Sequence, residues 1–181
     1  MKEANFSKKL KKEIGEYLNQ QFPNKYLIEE RINLYYELYI NNKLDLHQNT
    51  KKPKRGFSAF QVDLLISEKR NGIFIPKVVI ELKDKLNTHA IITYSSKALR
   101  TKRIYPFLRY GIILFGEEFI PKRFFTHNEG FDFCVNYNNL NKTLTNFLGA
   151  IKSQLYYSDQ IEERLFGKRK YSFYSNSPEL D

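Results

Sequence analysis

With 181 residues, 41% of them hydrophobic and 15% aromatic, the chain is long enough for one well-filled core and short for two. Thirty Lys and Arg stand against 20 Asp and Glu, and the resulting net charge of +10 favours a polyanionic partner, because each neutralised phosphate releases counterions. No apolar run approaches the ~18–20 residues of a membrane span, and the single cysteine, Cys134, excludes an intrachain disulfide, in keeping with a reducing cytoplasm. The N-terminus, Met1 to Asn5, leads into charged residues without the apolar centre of a signal peptide.

Residues 6–22 read as an amphipathic helix, because Phe6, Leu10, Ile14, Leu18 and Phe22 recur at every fourth position with Lys8, Lys9, Lys11 and Lys12 around the other side. Glu13 borders the apolar stripe. Residues 27–40 fit a helix through Ile28, Ile32, Tyr35 and Tyr39. They fit a strand through Ile28, Ile32, Leu34, Tyr36, Leu38 and Ile40, and the tyrosines favour the strand. Asn41-Asn42 is a tight-turn pair, after which Lys43 to Leu46 is expected to return as a short partner strand. The following loop, residues 48–56, carries Lys51, Lys52, Lys54 and Arg55 and no acid. It is either a grip for a phosphate backbone or a solvated loop.

Phe57 to Ser67 and Ile73 to Lys83 form the expected central hairpin, with Ser67 to Gly72 as its turn. Successive strand side chains point to opposite faces, so Val78, Ile80 and Leu82 share one face while Glu81 and Lys83 share the other. By the same alternation Val62, Leu64 and Ile66 go to the core and Asp63 stands opposite. Pairing the two strands brings Asp63, Glu81 and Lys83 together. Burying such charges is costly unless they are partnered. One or two carboxylates plus water are what Mg²⁺ takes in phosphoryl-transfer sites, beside which a lysine orients water or neutralises phosphate charge. The plainer account is an edge-strand charge pair that discourages aggregation.

Asn87-Thr88 caps a helix running to about residue 104, with Ile91, Tyr94 and Ala98 inward and Lys97, Arg100, Lys102 and Arg103 crowding its C-terminal half. The 32 residues between Asp84 and Glu117 hold six Lys/Arg and no acid, which points to a phosphate-binding surface. Tyr110 to Phe115 reads as a central parallel strand, apolar on both faces. Arg123 to Thr126 and Phe131 to Tyr137 read as short strands around the His127–Gly130 turn, and three scattered histidines make a zinc site improbable. Residues 140–166 form a long helix. The stretch 1–166 reads as one domain, and 167–181 as a tail whose interleaved cations and aromatics suit phosphate contact plus base stacking or plain solvation.

Asp63 on one strand, Glu81-Leu82-Lys83 at the end of the next after an Asn71-Gly72 turn, and a basic helix following resemble the PD-(D/E)xK nucleases of the restriction-endonuclease-like fold. Val62 stands where the family has proline, and the order of elements over residues 6–116 agrees. The resemblance implies an α/β fold with an α-β-β-β-α-β core and a mixed sheet flanked by helices. It implies Mg²⁺ held by Asp63 and Glu81, water oriented or activated by Lys83, a site completed by Glu13 of the first helix, and DNA as partner. A chain this small needs two sites to cut both strands, hence a homodimer with two-fold symmetry. The expected function is a metal-dependent endodeoxyribonuclease of restriction type. A Holliday-junction-resolving or repair nuclease, a non-catalytic nucleic-acid-binding module and a structural partner domain are the alternatives.

Overall fold

The computed structural model describes residues 3–49, 52–56, 58–140 and 144–170; Lys51 of the basic loop and residues 171–181 of the tail lie outside them. Helix α1 (Glu3–Gln21) precedes three strands, β1 (Tyr26–Tyr35), β2 (Ala59–Arg70) and β3 (Ile73–Lys83). Then come α2 (Thr88–Ile104), β4 (Arg109–Leu114), α3 (Lys122–His127), β5 (Phe133–Asn136), α4 (Tyr137–Leu140) and α5 (Leu144–Phe166). The strands form one mixed sheet in the order β1-β2-β3-β4-β5. The first two pairings are antiparallel and the last two parallel.

Local chemistry accounts for the turns. Asn71 and Gly72 both adopt positive φ, 51° and 76°, as a two-residue primed hairpin turn requires. The strands therefore run to Arg70 and restart at Ile73, and the expected six-residue turn contracts to two. Asn87 caps α2 by accepting the Ala90 N–H at 2.8 Å. This helix is the crossover that lets β3 and β4 pair in parallel.

Helices cover both faces, giving an α/β architecture with two cores. On one face the stripe Phe6, Leu10, Ile14 and Leu18 of α1, with Phe147, Ile151 and Leu155 of α5, buries Leu64, Ile66, Val78, Ile80 and Leu82. On the other, Ile91 and Ala98 of α2 bury Val62, Leu65, Val79, Tyr110, Ile112 and Leu114. The alternation expected of β3 is the one observed. In β2, however, Val62 and Leu64 belong to opposite cores, and so do Ile28 and Leu34 of β1. The pleat changes face at Arg31, whose φ is +57°, and at Asp63, between the pairs Glu30↔Leu64 and Ile32↔Val62.

Two expected strands are corrected. β1 stops at Tyr35 and the described residues from there to Ser58 lie outside the sheet, so that the isolated bridge Ile40↔Leu46 is what stands for the return strand among them. Arg123 to Thr126 lie in helix α3. Pro121 sets the entry at φ −67°, Phe124 alone turns inward, and the Asn128 N–H closes the last turn on Phe124 O. Among the described residues no helix is long and apolar enough to cross a membrane.

Candidate functional site

β2 and β3 part at the carboxylates. Their pairing toward this end finishes at Leu64↔Ile80, one step short of Asp63 opposite Glu81. Beyond it Asp63 Oδ2 accepts the Leu82 N–H at 2.8 Å, so a side-chain carboxylate stands where a ladder carbonyl would otherwise be. Lys83 Nζ lies 3.8 Å from the same oxygen. Since β3 is third of five strands, the edge-strand account of Glu81 and Lys83 does not hold.

Glu81 points the other way, into the core beneath α2. Its side chain is bonded at Oε1 by the Tyr110 hydroxyl at 2.5 Å and by Lys97 Nζ at 3.2 Å. Both ammonium groups border one ring: Lys83 Nζ is 4.1 Å and Lys97 Nζ 4.8 Å from the Tyr94 centroid, and Phe60 lies 5.0 Å from Lys97 on another side.

Burial differs sharply between the two acids. Glu81 is 1% exposed, whereas the Asp63 side chain keeps 27% of its surface. Burial, against the pull of Lys97 and helped by neighbouring Asp63 while the Tyr110 bond opposes, leaves the Glu81 carboxyl raised to about 7. Burial pulls Lys83 down, but Tyr94, Asp63 and Glu81 together outweigh it and hold the lysine above its usual range. Lys83 is therefore charged at neutral pH. Tyr110, fully buried, is pushed well above the ordinary tyrosine range by burial and by Glu81, so it stays a donor.

Of the expected acids, Asp63 stands beside Lys83 and Glu81 acts on it electrostatically from the core, while Glu13 is held elsewhere. The Tyr137 hydroxyl donates to Glu13 Oε2 at 3.1 Å, and Lys9 stands 3.7 Å from Oε1. The α1 residues beside Asp63 are Ala4, Ser7 and Lys8, which with Glu30, Arg31 and Leu82 line a cleft of about 330 Å³. Ser7 is six positions before Glu13, about 9 Å along a helix. The acid that shares the cleft with Asp63 is Glu30, which accepts from Ser7 Oγ at 2.6 Å and pairs with Lys11 at 3.8 Å. Its signal in the sequence is the run Glu29-Glu30-Arg31 interrupting an apolar strand.

The basic segment is less free than its sequence suggests. Lys97 is taken by Glu81, Arg100 by Glu37 at 3.0 Å, and Lys102 and Arg109 by Asp132 at 2.9 and 3.1 Å. Acids distant in sequence neutralise it. Among the described cations of the basic loop and of residues 85–109, Lys52, Lys54, Arg55, Lys85 and Arg103 are the exposed ones without a partner named above.

A second acidic group, Glu68, Asp159 and Glu162, has the closeness of a metal cage. Three cations already fill it. Lys77 Nζ is 2.6 Å from Asp159, touches Glu162 and stands 3.5 Å from Glu68; Arg70 reaches Glu162 at 2.6 Å and Glu68 at 2.5 Å, and Lys25 flanks both Glu68 and Asp159. Three negative charges meet three positive ones, so this group acts as a clasp between α5 and the β2–β3 hairpin.

Two carboxylates, one buried and one at the surface, suit a hard divalent ion that retains water. Glu81, buried and drawn toward protonation, already has the Lys97 ammonium as its cationic partner. No protein-family model and no curated protein matches this chain.

Proposed function

We propose that the chain is a metal-dependent endodeoxyribonuclease built on a restriction-endonuclease-like core. The observation that carries this reading is the fork at Asp63, which sets one carboxylate on Leu82 N–H with Lys83 beside it and Glu81 buried one residue away. The succession α1, β1, β2, β3, α2, β4 agrees with that core.

Asp63 and Glu81 are the residues that would hold Mg²⁺. When bound, the ion lowers the pKa of a coordinated water and shields the scissile phosphate. Lys83, charged at neutral pH, is suited to orient that water and to offset phosphate charge, and unsuited to remove a proton. Tyr110 fixes the Glu81 carboxylate from within the sheet. Lys97 neutralises Glu81 and would share its carboxylate with a bound ion. A two-fold homodimer would supply the second site for a double-strand cut.

The position of Lys97 also favours a second reading, a nucleic-acid-binding module in which Glu81–Lys97 is a finished internal ion pair. Lys83→Ala separates the two. The nuclease reading expects cleavage to fall by a factor of at least 100 with DNA affinity within threefold of the unaltered protein. A protein that binds DNA and cuts none of it, with or without the substitution, is the binding module.

A further inference from the structure

The described residues between the end of β1 at Tyr35 and the start of β2 at Ala59 lie outside the sheet. Because β2 and β3 are antiparallel, this is the end where Asp63 and Lys83 stand. Within it residues 39–47 close a small hairpin. Asn41 N–H donates to Asp45 O and His47 N–H to Tyr39 O, both at 2.8 Å, and Asn41 Oδ1 accepts the N–H groups of Lys43 and Asp45.

None of these bonds involves an apolar side chain, yet the hairpin presents four to solvent. Tyr39 and Leu46 are exposed, Ile40 keeps 68% of its surface and Leu44 86%. Leu44, near the apex, also adopts φ +65°, which a branched apolar residue seldom does. Ile40 and Leu46 are bridged partners and so share one face of the hairpin, with Leu44 between them in the turn, which makes an exposed apolar tip.

The surroundings indicate the occupant. From Lys43 to Arg55 the sequence carries five Lys/Arg against Asp45 alone. An apolar tip between cations is complementary to a duplex, whose phosphates meet the cations and whose base steps admit an apolar wedge. A second copy fits poorly: it brings the same positive charge, and a standard interface needs roughly 20–30 residues a side. The base of the hairpin is tied to the site. Glu37 pairs with Arg100, and Tyr36 stacks at 4.1 Å on Phe60, the ring that borders Lys97.

We propose that residues 39–47 are a DNA-engaging arm that wedges Ile40 or Leu44 into a base step of a duplex while Lys52, Lys54 and Arg55 hold the flanking phosphates. The inference rests on the nucleic-acid reading above and deepens it. The preferred substrate is duplex DNA that unstacks readily, at flexible pyrimidine–purine steps or at a mismatch.

The test binds the full chain, in EDTA so that nothing is cut, to duplexes carrying 2-aminopurine at successive positions. Unaltered protein should raise fluorescence at least threefold at one step and bind a mismatched duplex at least tenfold more tightly than a matched one. Ile40→Ser with Leu44→Ser should abolish both effects; these side chains lie outside both cores, so the melting temperature should be kept. Lys52→Ala with Lys54→Ala should lower the salt slope of binding by about 2. Duplex binding without a fluorescence rise, or a rise that survives the double serine change, overturns the arm and leaves the nuclease reading standing. Sedimentation showing a dimer that the serine changes split, with DNA binding untouched, assigns the patch to a second copy instead. Failure of the unaltered protein to bind any duplex removes both readings.

Discussion

Lys97 Nζ lies 3.2 Å from Glu81 Oε1, an internal ammonium held against the buried carboxylate that would ligate a metal. Under the metal-dependent reading, a bound ion would share the Glu81 carboxylate with Lys97. Lys97→Met should lower the melting temperature in EDTA, because breaking a buried pair costs about 3–5 kcal/mol. Millimolar Mg²⁺ should restore more stability to this variant than to the unaltered protein. Equal Mg²⁺ stabilisation of the two would separate Lys97 from the metal site.

Burial raises the Glu81 carboxyl from near 4.5 to about 7. A raised carboxyl binds its proton more tightly in the folded state, so the folded protein is favoured below about pH 4.5 and loses that advantage as pH climbs to 7. At about 1.4 kcal/mol per pKa unit the loss is roughly 3 kcal/mol. Urea unfolding in EDTA at pH 5, 6 and 8 should show the decline, and Glu81→Gln should flatten it. A variant that keeps the full pH slope would place its origin in another group.

Lys77 is wholly buried amid Asp159, Glu162 and Glu68. Lys77→Ala leaves three carboxylates facing Lys25 and Arg70, and should destabilise by about 3–5 kcal/mol. It should also turn an ion-indifferent cluster into a weak cation site. Calorimetric unfolding with and without Ca²⁺ checks this: the melting temperature of Lys77→Ala should rise more with the ion than that of the unaltered protein.

Gly116 follows β4 where it runs beside Lys83, with Phe115 N–H donating to Lys83 O and Gly116 N–H to Asp84 O, each at 3.1 Å. A Cβ at this position would stand 2.7 Å from Asp84 O, closer than backbone tolerates. Gly116→Ala should therefore displace the end of β3, reducing cleavage at least tenfold while costing about 1–3 kcal/mol of stability. Unchanged cleavage would mean that this strand end is free to shift without affecting Lys83.

Elements set by local chemistry were legible in the sequence. The four-residue spacing from Phe6 to Leu18, the Asn71-Gly72 turn, the Asn87 cap and the alternation from Val78 to Lys83 all recur in the structure. What escaped depends on partners far along the chain. Arg100, Lys102 and Arg109 look like a free basic surface until Glu37 and Asp132 fold against them. Lys97 reads as a phosphate contact until α2 lies over Glu81. Period-two patterning carries β1 on to Ile40, yet the chain leaves the sheet after Tyr35. Glu13 sits at the margin of the right helical face but too far along it, and the change of pleat at Arg31 puts Glu30 beside Asp63 instead.

The most direct test of the central claim is incubation of supercoiled plasmid with the unaltered protein, Asp63→Ala and Lys83→Ala, each in Mg²⁺ and in EDTA, with DNA binding measured alongside. The account predicts nicked or linear plasmid in the Mg²⁺ lane of the unaltered protein, no cleavage in EDTA or with Asp63→Ala, and binding kept throughout. Metal-dependent cleavage that persists in Asp63→Ala, or intact plasmid beside undiminished binding, would contradict it.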